Sequence, residues 1–221
     1  MIGRTVAWFF AACFTLAALL VSASASSASG SINYCLKYWP TVIREARYHI
    51  GMDAPAHDFM GQIEIESNCN PKAIGPTGDI GLGQFNWDTA SWLQKKEKAL
   101  REIAVKARPL NPAWSIRAVV LFDRWLYENV DCRDWHYAFR AYNGGLTLMN
   151  KEIARAGTCF HKAVEKKCRR NIIETAKGNL NLCQINIYYP YRVRAAGKKY
   201  QAISVPDPSY ENIEITRKSR S

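Results

Sequence analysis

Hydrophobic residues recur with the spacing of an α-helix along most of the chain. The clearest series repeats every three or four residues and consists of Trp114, Ala118, Leu121 and Trp125. Asn111 and Pro112 stand just before it, and these residue types favour the N-cap and the first turn of a helix. The pattern therefore predicts a helix that begins at Pro112 and buries this face.

Six further helices follow from the same spacing and from helix-breaking residues. They cover residues 41–52, 56–67, a stretch from about residue 88, and residues 133–142, 146–156 and about 191–200. Glycines at or just after the ends of these stretches, at Gly51, Gly144, Gly145 and Gly157, provide stops. The sequence therefore predicts a mainly α fold, and the length of 221 residues fits a single domain.

An apolar run near the N-terminus differs from these amphipathic helices. Arg4 precedes an apolar run of 16 residues, Val6–Val21, and small residues follow up to Ala28. This order predicts a secretory signal peptide over residues 1–25, with cleavage after Ala25 or as late as Ala28. The alternative is an uncleaved anchor, for which the run is slightly short, and which would be the predicted contact with a membrane.

Removing the leader leaves an even number of cysteines. Cys13 lies in the leader, and the others are Cys35, Cys69, Cys132, Cys159, Cys168 and Cys183. In an exported protein, six cysteines favour three disulfides, and the sequence leaves their pairing open. No Cys-x-x-Cys or His-Glu-x-x-His pattern occurs, so no metal site is predicted. The predicted location is periplasmic or secreted.

The chain is strongly basic, with 30 Lys and Arg against 19 Asp and Glu and a net charge of +11. In the cytoplasm such a charge would indicate nucleic acid as a partner, but the predicted export argues against it. Outside the membrane, the charge serves either adhesion to anionic wall polymers or plain solvation of the surface. Basic residues cluster in a cysteine-containing insert at about 159–183 and in a loose tail at 206–221.

Glu66 is the residue with the best signal for chemistry. Phe59, Ile63 and Glu66 share one face of the helix predicted over 56–67, whereas Glu64 points elsewhere. A carboxyl group on an apolar face loses hydration, so its pKa rises and it can donate a proton near neutral pH. The alternative is that Glu66 only caps or bridges the end of its helix.

Three motifs, in this order, resemble those of the soluble lytic transglycosylases, a lysozyme-like family that cuts bacterial peptidoglycan. They are Glu66-Ser67 with Asn70-Pro71-x-Ala73 and Gly78-x-x-Gly81-Leu82-Gly83-Gln84, then Ala141-Tyr142-Asn143-Gly144-Gly145, and last Tyr189 with Arg192-Val193 and Ala195-Ala196. The resemblance covers roughly residues 35–200. It implies a mainly α, lysozyme-like single domain with disulfides and no cofactor.

The resemblance also implies a mechanism with one catalytic carboxyl group. Glu66 would protonate the β-1,4 oxygen between N-acetylmuramic acid and N-acetylglucosamine and then take a proton from the sugar's own O6, which leaves a 1,6-anhydro end. The substrate-binding residues that it implies are Ser67, Gln84, Tyr142, Asn143 and Tyr189. Of these, Tyr189 would open the last helix and help to orient Glu66.

The sequence departs from the family pattern at three positions. Gly83 stands where Met or another large residue is common, which would open the groove. Ile185 replaces an acidic residue that usually lies four positions before the final Tyr, and Asp79 replaces a small residue. None of these changes removes Glu66.

Two other functions remain open on the sequence. A goose-type lysozyme-like hydrolase would cut the same bond with water, and a non-catalytic protein would bind peptidoglycan without cutting it. The expected partners are peptidoglycan glycan strands. In the family context, a type IV secretion or conjugation apparatus, or a phage, is a second expected partner, for which the wall is opened locally.

Overall fold

The computed structural model describes residues 34–103, 108–169, 172–175 and 178–203. The predicted signal peptide and the predicted tail lie outside the described residues. The chain divides into two compact units, residues 1–37 and 38–221, and the elements named below belong to the second. Within the described ranges, no helix is long and apolar enough to cross a membrane.

Helices dominate the second unit, as the hydrophobic spacing predicts. They are α1 (Trp39–His49), α2 (Ala56–Ser67), α3 (Trp87–Lys96), α4 (Lys98–Arg101), α5 (Pro112–Asn129), α6 (Trp135–Gly144), α7 (Leu146–Ala156), α8 (His161–Glu165) and α9 (Leu182–Gln201). A 3-10 turn, Arg108–Leu110, precedes α5. A small antiparallel hairpin, β1 (Ile172–Thr175) and β2 (Gly178–Asn181), precedes α9, with Ile172 paired to Asn181 and Thr175 to Gly178.

The ends of the helices follow local sequence signals. The Asn111 side chain accepts a hydrogen bond from the Trp114 backbone N–H at 3.0 Å, and Pro112 occupies the first turn of α5. Helix α2 ends at Ser67 because Asn68 adopts a left-handed conformation with φ 48°. The observed bounds of α2 and α7 and the start of α5 agree with the sequence prediction.

The last helix is longer than the sequence predicts. Its predicted start lies near residue 191, but α9 begins at Leu182, where the Asn181 side chain accepts a hydrogen bond from a backbone N–H of the first turn at 3.1 Å. Pro190 lies inside the helix, although proline usually ends one. Tyr189 therefore sits within α9, and the expectation that it opens the last helix is wrong.

Helices α2 and α9 cross closely through two glycines. At Gly61 a Cβ atom would clash with the backbone of Gly197, and at Gly197 it would lie 2.7 Å from the carbonyl oxygen of His57. Without side chains at these positions the two backbones can approach each other. The crossing holds α9 against the helix that carries Glu66.

The predicted insert at about 159–183 contains α8 and the hairpin. A disulfide between Cys168 and Cys183 closes it, and a disulfide between Cys132 and Cys159 joins its start to the segment between α5 and α6. Cys35 and Cys69 are each disulfide-bonded as well. All six cysteines after the predicted leader are therefore oxidised, which confirms the prediction of disulfides.

Candidate active site

A cleft of about 400 Å³ opens at the C-terminal end of α2. The end of α2, the loop between α2 and α3, and the end of α6 all contribute to it. Its lining residues are Glu66, Gly75, Pro76, Thr77, Asp79, Gln84, Asn86, Tyr142 and Asn143. Four of the six predicted site residues thus meet here, although they come from segments far apart in the sequence.

Glu66 lies in the last turn of α2, partly accessible from the cleft. Phe59 and Ile63, on the same face of the helix, are completely buried, as the spacing predicts. Tyr189 of α9 donates a hydrogen bond from its hydroxyl to Glu66 Oε1. Burial raises the pKa of Glu66 to about 7, although the hydrogen bond from Tyr189 and the charge of Arg192 act in the opposite direction. The carboxyl group can therefore release a proton near neutral pH.

A second carboxylate, Asp79, lines the cleft from the loop between α2 and α3. Its charge contributes to the raised pKa of Glu66. Asp79 Oδ2 accepts a hydrogen bond from the Thr77 hydroxyl, and the Gly75 N–H donates to the Asp79 carbonyl oxygen at 2.7 Å. The sequence leaves the position of Asp79 open, and the structure places it in the same cleft as Glu66.

Gln84 lines the cleft and also stabilises the loop between α2 and α3. Its Nε2 atom donates to the carbonyl oxygens of Ala73 at 3.3 Å and of Gly81 at 3.0 Å. Gly81 has φ 79° and lies so close to Pro109 that a Cβ atom would clash with the carbonyl group. These contacts fix the shape of the loop that carries Asp79.

Tyr142 connects the cleft to the core. Its hydroxyl donates to the Gly83 carbonyl oxygen at 2.5 Å. Its ring packs against Phe85 and Phe122, with centroids 5.9 and 5.3 Å away. Burial raises the pKa of Tyr142 well above its usual range, so the hydroxyl keeps its proton and remains a donor.

Gly83 does not open the groove. A Cβ atom at this position would lie 2.6 Å from Phe85 Cε2, 2.6 Å from Val119 Cγ2 and 3.0 Å from the Tyr142 hydroxyl. The Gly83 N–H also donates to Ser115 Oγ at 3.2 Å. Neighbouring side chains fill the space of the missing one, so the expectation of a wider groove is wrong.

A buried network that the sequence does not predict holds Asn143 in the cleft. Asn186 Nδ2 donates to Asn143 Oδ1 at 3.4 Å and to the Arg140 carbonyl oxygen at 2.7 Å. Arg140 Nε donates back to Asn186 Oδ1 at 3.1 Å, and its Nη2 donates to the buried Glu152 at 2.6 Å. Asn186 and Tyr189 lie three residues apart on α9, so one face of this helix supports both Asn143 and Glu66.

Two of the predicted site residues lie outside the lining of the described cleft. Ser67 is buried, and its hydroxyl donates to the Ile63 carbonyl oxygen in the preceding turn at 3.0 Å. Such a bond gives the hydroxyl of a serine at a helix end a partner within its own helix. Tyr189 is buried too, and it reaches Glu66 from the protein side.

A further buried carboxyl group, Asp123 of α5, interacts electrostatically with the site. Its side chain is completely buried, and neither oxygen has a hydrogen bond of good geometry among the described residues. Burial raises the pKa of Asp123 well above its usual range, the adjacent amide of Gln62 lowers it, and the charge of Glu66 raises it further. Burial therefore disfavours the charged form of Asp123.

Comparisons with known proteins point to one family. Residues 54–163 match the family model described as the transglycosylase SLT domain. Among solved structures, the 70 kDa soluble lytic transglycosylase SLT70 from Escherichia coli is similar, with 22% sequence identity and a TM-score of 0.54. The similarity covers 71% of this chain and 23% of that one, so this chain spans only a small part of its relative's length. No significant match is found among curated proteins.

The two matches support different conclusions. At this level of identity, the likeness to SLT70 concerns the fold, and it confirms the predicted lysozyme-like class. The family match includes Glu66, Gln84, Tyr142 and Asn143, whereas Tyr189 lies beyond residue 163. The disulfides and the family match together fit an extracytoplasmic location.

Proposed function

This chain belongs to the soluble lytic transglycosylase family, and we propose that it cleaves peptidoglycan at the β-1,4 bond between N-acetylmuramic acid and N-acetylglucosamine. One observation supports this proposal most. Glu66 is a desolvated carboxyl group with a pKa of about 7, and it lines a cleft. The expected product carries a 1,6-anhydromuramoyl end.

The first step of the proposed mechanism protonates the leaving sugar. Glu66 holds its proton up to neutral pH because burial disfavours the charged form. It gives this proton to the glycosidic oxygen as the bond from that oxygen to C1 of the muramoyl residue breaks. The N-acetyl group of the same residue stabilises the positive charge at C1. Such assistance by the substrate replaces the second carboxylate that most glycosidases use.

The second step closes the muramoyl residue on itself. The Glu66 carboxylate, which accepts the hydrogen bond from Tyr189, removes the proton from O6 while O6 bonds to C1. Glu66 regains the proton that it gave away, and no water is consumed. A group that acts first as an acid and then as a base works best when its pKa is near the working pH.

The other predicted site residues have supporting roles in this proposal. Tyr142 and Asn143 from α6, and Gln84 from the loop, hold the sugars because they line the cleft with Glu66. Tyr189 orients Glu66 through its hydroxyl. Ser67 shapes the end of α2, since its hydroxyl is bonded to Ile63.

Digestion of purified sacculi tests the proposal. The wild-type protein should lower their turbidity and release fragments with anhydro ends, which are one water lighter than reducing ends in a mass spectrum. Glu66→Gln should fold and leave sacculi intact. A folded and fully active Glu66→Gln protein would falsify the assignment. A wild-type protein that binds sacculi without cutting them would instead be a non-catalytic wall-binding protein.

Asp79 favours one alternative, a goose-type lysozyme-like hydrolase. It is a second carboxylate in the cleft, and glycosidases with two carboxylates use one of them as a nucleophile or to activate water. Reducing ends among the products, and their loss in Asp79→Asn, would support hydrolysis. Anhydro ends formed at similar rates by the wild type and Asp79→Asn would support the transglycosylase.

We further propose that the enzyme works in the periplasm or outside the cell, where it opens the wall locally. A type IV secretion or conjugation apparatus, or a phage, is the partner that the family context suggests. The disulfides and the predicted leader support the location. Fractionation of cells that express the full chain tests it, and co-purification with a cytoplasmic marker would contradict it.

A further inference from the structure

A strip of four partly exposed aromatic side chains runs from the cleft across α5 to α3. This aromatic strip consists of Tyr142, Phe122, Trp125 and Trp92. The ring centroids of Tyr142 and Phe122 lie 5.3 Å apart, those of Phe122 and Trp125 6.0 Å apart, and those of Trp125 and Trp92 4.7 Å apart. The four rings are therefore in contact one after another.

Tyr142, Phe122 and Trp125 pack against the hydrophobic core and remain partly accessible, and Trp92 is the most exposed member of the aromatic strip. Trp92 is 38% exposed, whereas Trp114, on the same helix as Phe122 and Trp125, is completely buried. Contiguous exposed apolar surface in a protein often marks a binding site. Aromatic rings offer flat apolar faces, and the C–H face of a sugar ring can pack on them.

The aromatic strip is continuous with the cleft through Tyr142. This residue lines the cleft, and its ring also contacts Phe122. The hydrogen bond from its hydroxyl to Gly83 fixes the ring in this place. A polymer that leaves the cleft at Tyr142 can therefore continue along the aromatic strip.

A cation stands at the far end of the aromatic strip. Lys96 Nζ lies 5.5 Å from the ring centroid of Trp92 and 5.8 Å from that of Trp125. Lys95 and Lys96 are both exposed in the last turn of α3. Stem peptides of peptidoglycan carry carboxylates, so a cation beside an aromatic surface complements a glycan strand with attached peptides.

We propose that the aromatic strip binds the peptidoglycan strand beyond the catalytic cleft, with sugar rings on the aromatic faces and a stem-peptide carboxylate at Lys96. The inference rests on the proposed function, because the occupant is the strand that Glu66 cuts. The strip holds long strands without touching the reacting bond. It therefore favours long strands over short fragments.

Binding to sacculi tests the aromatic faces. The measurement uses co-sedimentation of intact sacculi with Glu66→Gln protein, which cannot digest them. Adding Trp92→Ala should weaken binding about tenfold, which corresponds to about 1.4 kcal/mol, whereas Trp92→Phe should keep most of it. The matched control is Tyr48→Ala, which removes an aromatic side chain that is 82% exposed on α1 and should change nothing. Thermal unfolding of each variant verifies its fold.

A charge reversal tests the contact with the peptide. Lys96→Glu should weaken binding to intact sacculi several-fold but leave binding to amidase-treated glycan strands, which lack stem peptides, unchanged. Lys162→Glu, an exposed lysine on α8, is the matched charge control and should bind both substrates normally. An equal loss on both substrates, or no loss on either, would overturn the peptide contact.

Cleavage kinetics separate this proposal from the proposed function. In the active protein, Trp92→Ala should raise KM for long strands several-fold with little change in kcat, and should cut a fragment that fills only the cleft at the normal rate. Unchanged binding and unchanged KM in Trp92→Ala would overturn the aromatic strip and leave the proposed function intact. A wild-type protein that shows Trp92-dependent binding but no cleavage would support the strip and overturn the proposed function.

Discussion

Glu64 and Glu66 lie two residues apart on α2, and their surroundings are opposite in character. Glu64 accepts hydrogen bonds from Lys199 Nζ and, at 2.7 Å, from the Tyr200 hydroxyl, both near the end of α9. Glu66 faces the cleft and accepts a hydrogen bond from the neutral Tyr189. The same amino acid thus links two helices on one side of α2 and holds a proton on the other.

The difference depends on what α9 presents to each face of α2. Lys199 of α9 forms an ion pair with Glu64. Around Glu66, burial outweighs both the charge of Arg192 and the hydrogen bond from Tyr189, so its pKa rises to about 7. The close crossing at Gly61 and Gly197 determines which part of α9 meets which carboxylate. Tertiary packing therefore gives two residues of the same type different surroundings.

Exchanging each carboxylate for an amide gives the largest contrast. Glu66→Gln should lower the rate of sacculus cleavage by about 10³-fold or more, because an amide has no proton to donate. Glu64→Gln should keep the rate within about threefold and lower the melting temperature slightly, because a partly exposed ion pair is lost. Turbidity assays on sacculi measure the cleavage rates of both variants. Equal losses of activity would show that the two glutamates do not differ in role.

Removing the Tyr189 hydroxyl tests the effect of its hydrogen bond on Glu66. In Tyr189→Phe the hydrogen bond that lowers the pKa of Glu66 is lost, so this pKa should rise above about 7. The fall in activity at alkaline pH should therefore move to higher pH, and kcat should drop roughly 10- to 100-fold because the carboxylate loses a hydrogen bond. The pH dependence of kcat measures both effects. An alkaline limb that stays in place or moves to lower pH would contradict the role of Tyr189.

A substitution behind the cleft should change the surroundings of Glu66 but not those of Glu64. Gly83→Ala introduces a methyl group 2.6 Å from Phe85 and Val119, and such overpacking costs about 1–3 kcal/mol. Because the Gly83 carbonyl holds Tyr142, KM should rise as well. Urea unfolding and kinetics on sacculi measure the two changes. Normal stability together with normal KM would show that the space around Gly83 is not filled.

Asp123 extends the comparison to a third carboxyl group, which is buried without a cation. Its pKa in the folded protein lies above the unfolded value of 3.8, so its contribution to stability is full below that pH and is lost as pH rises through the folded pKa. Asp123→Asn removes this pH-dependent loss of stability, because an amide does not titrate. As pH rises above 3.8, the variant should therefore gain stability relative to the wild type. Urea unfolding across this range measures the gain, and a difference that does not change with pH would argue against a protonated Asp123.

Helical spacing alone predicts the face of α2 that carries Glu66. It places Glu66 with Phe59 and Ile63, and both hydrophobic residues are completely buried. It cannot relate residues on separate helices, so the expectations for Tyr142 and Tyr189 rest on the resemblance to a family. The position of Asp79 depends on the fold of a loop, and no periodicity describes that fold.

The start of α9 and the burial of Asp123 do not follow from general rules for the local sequence. Pro190 suggests a break, because proline usually ends a helix, yet the Asn181 cap starts the helix upstream of it. Asp123 lies on one stripe with Val119 and Leu126, which are both buried. The spacing of these three residues therefore indicates a buried position for Asp123, but a charged residue within a helix is normally expected to face solvent.

A direct titration of Glu66 is the sharpest test of its proposed role as the proton donor. NMR of the side-chain carboxyl carbon, in the folded full-length protein, reports the pKa of this group without any assay of activity. We expect a pKa of about 7 for Glu66. A measured value near 4.5, the ordinary value for a glutamate, would contradict the claim that Glu66 is a desolvated proton donor.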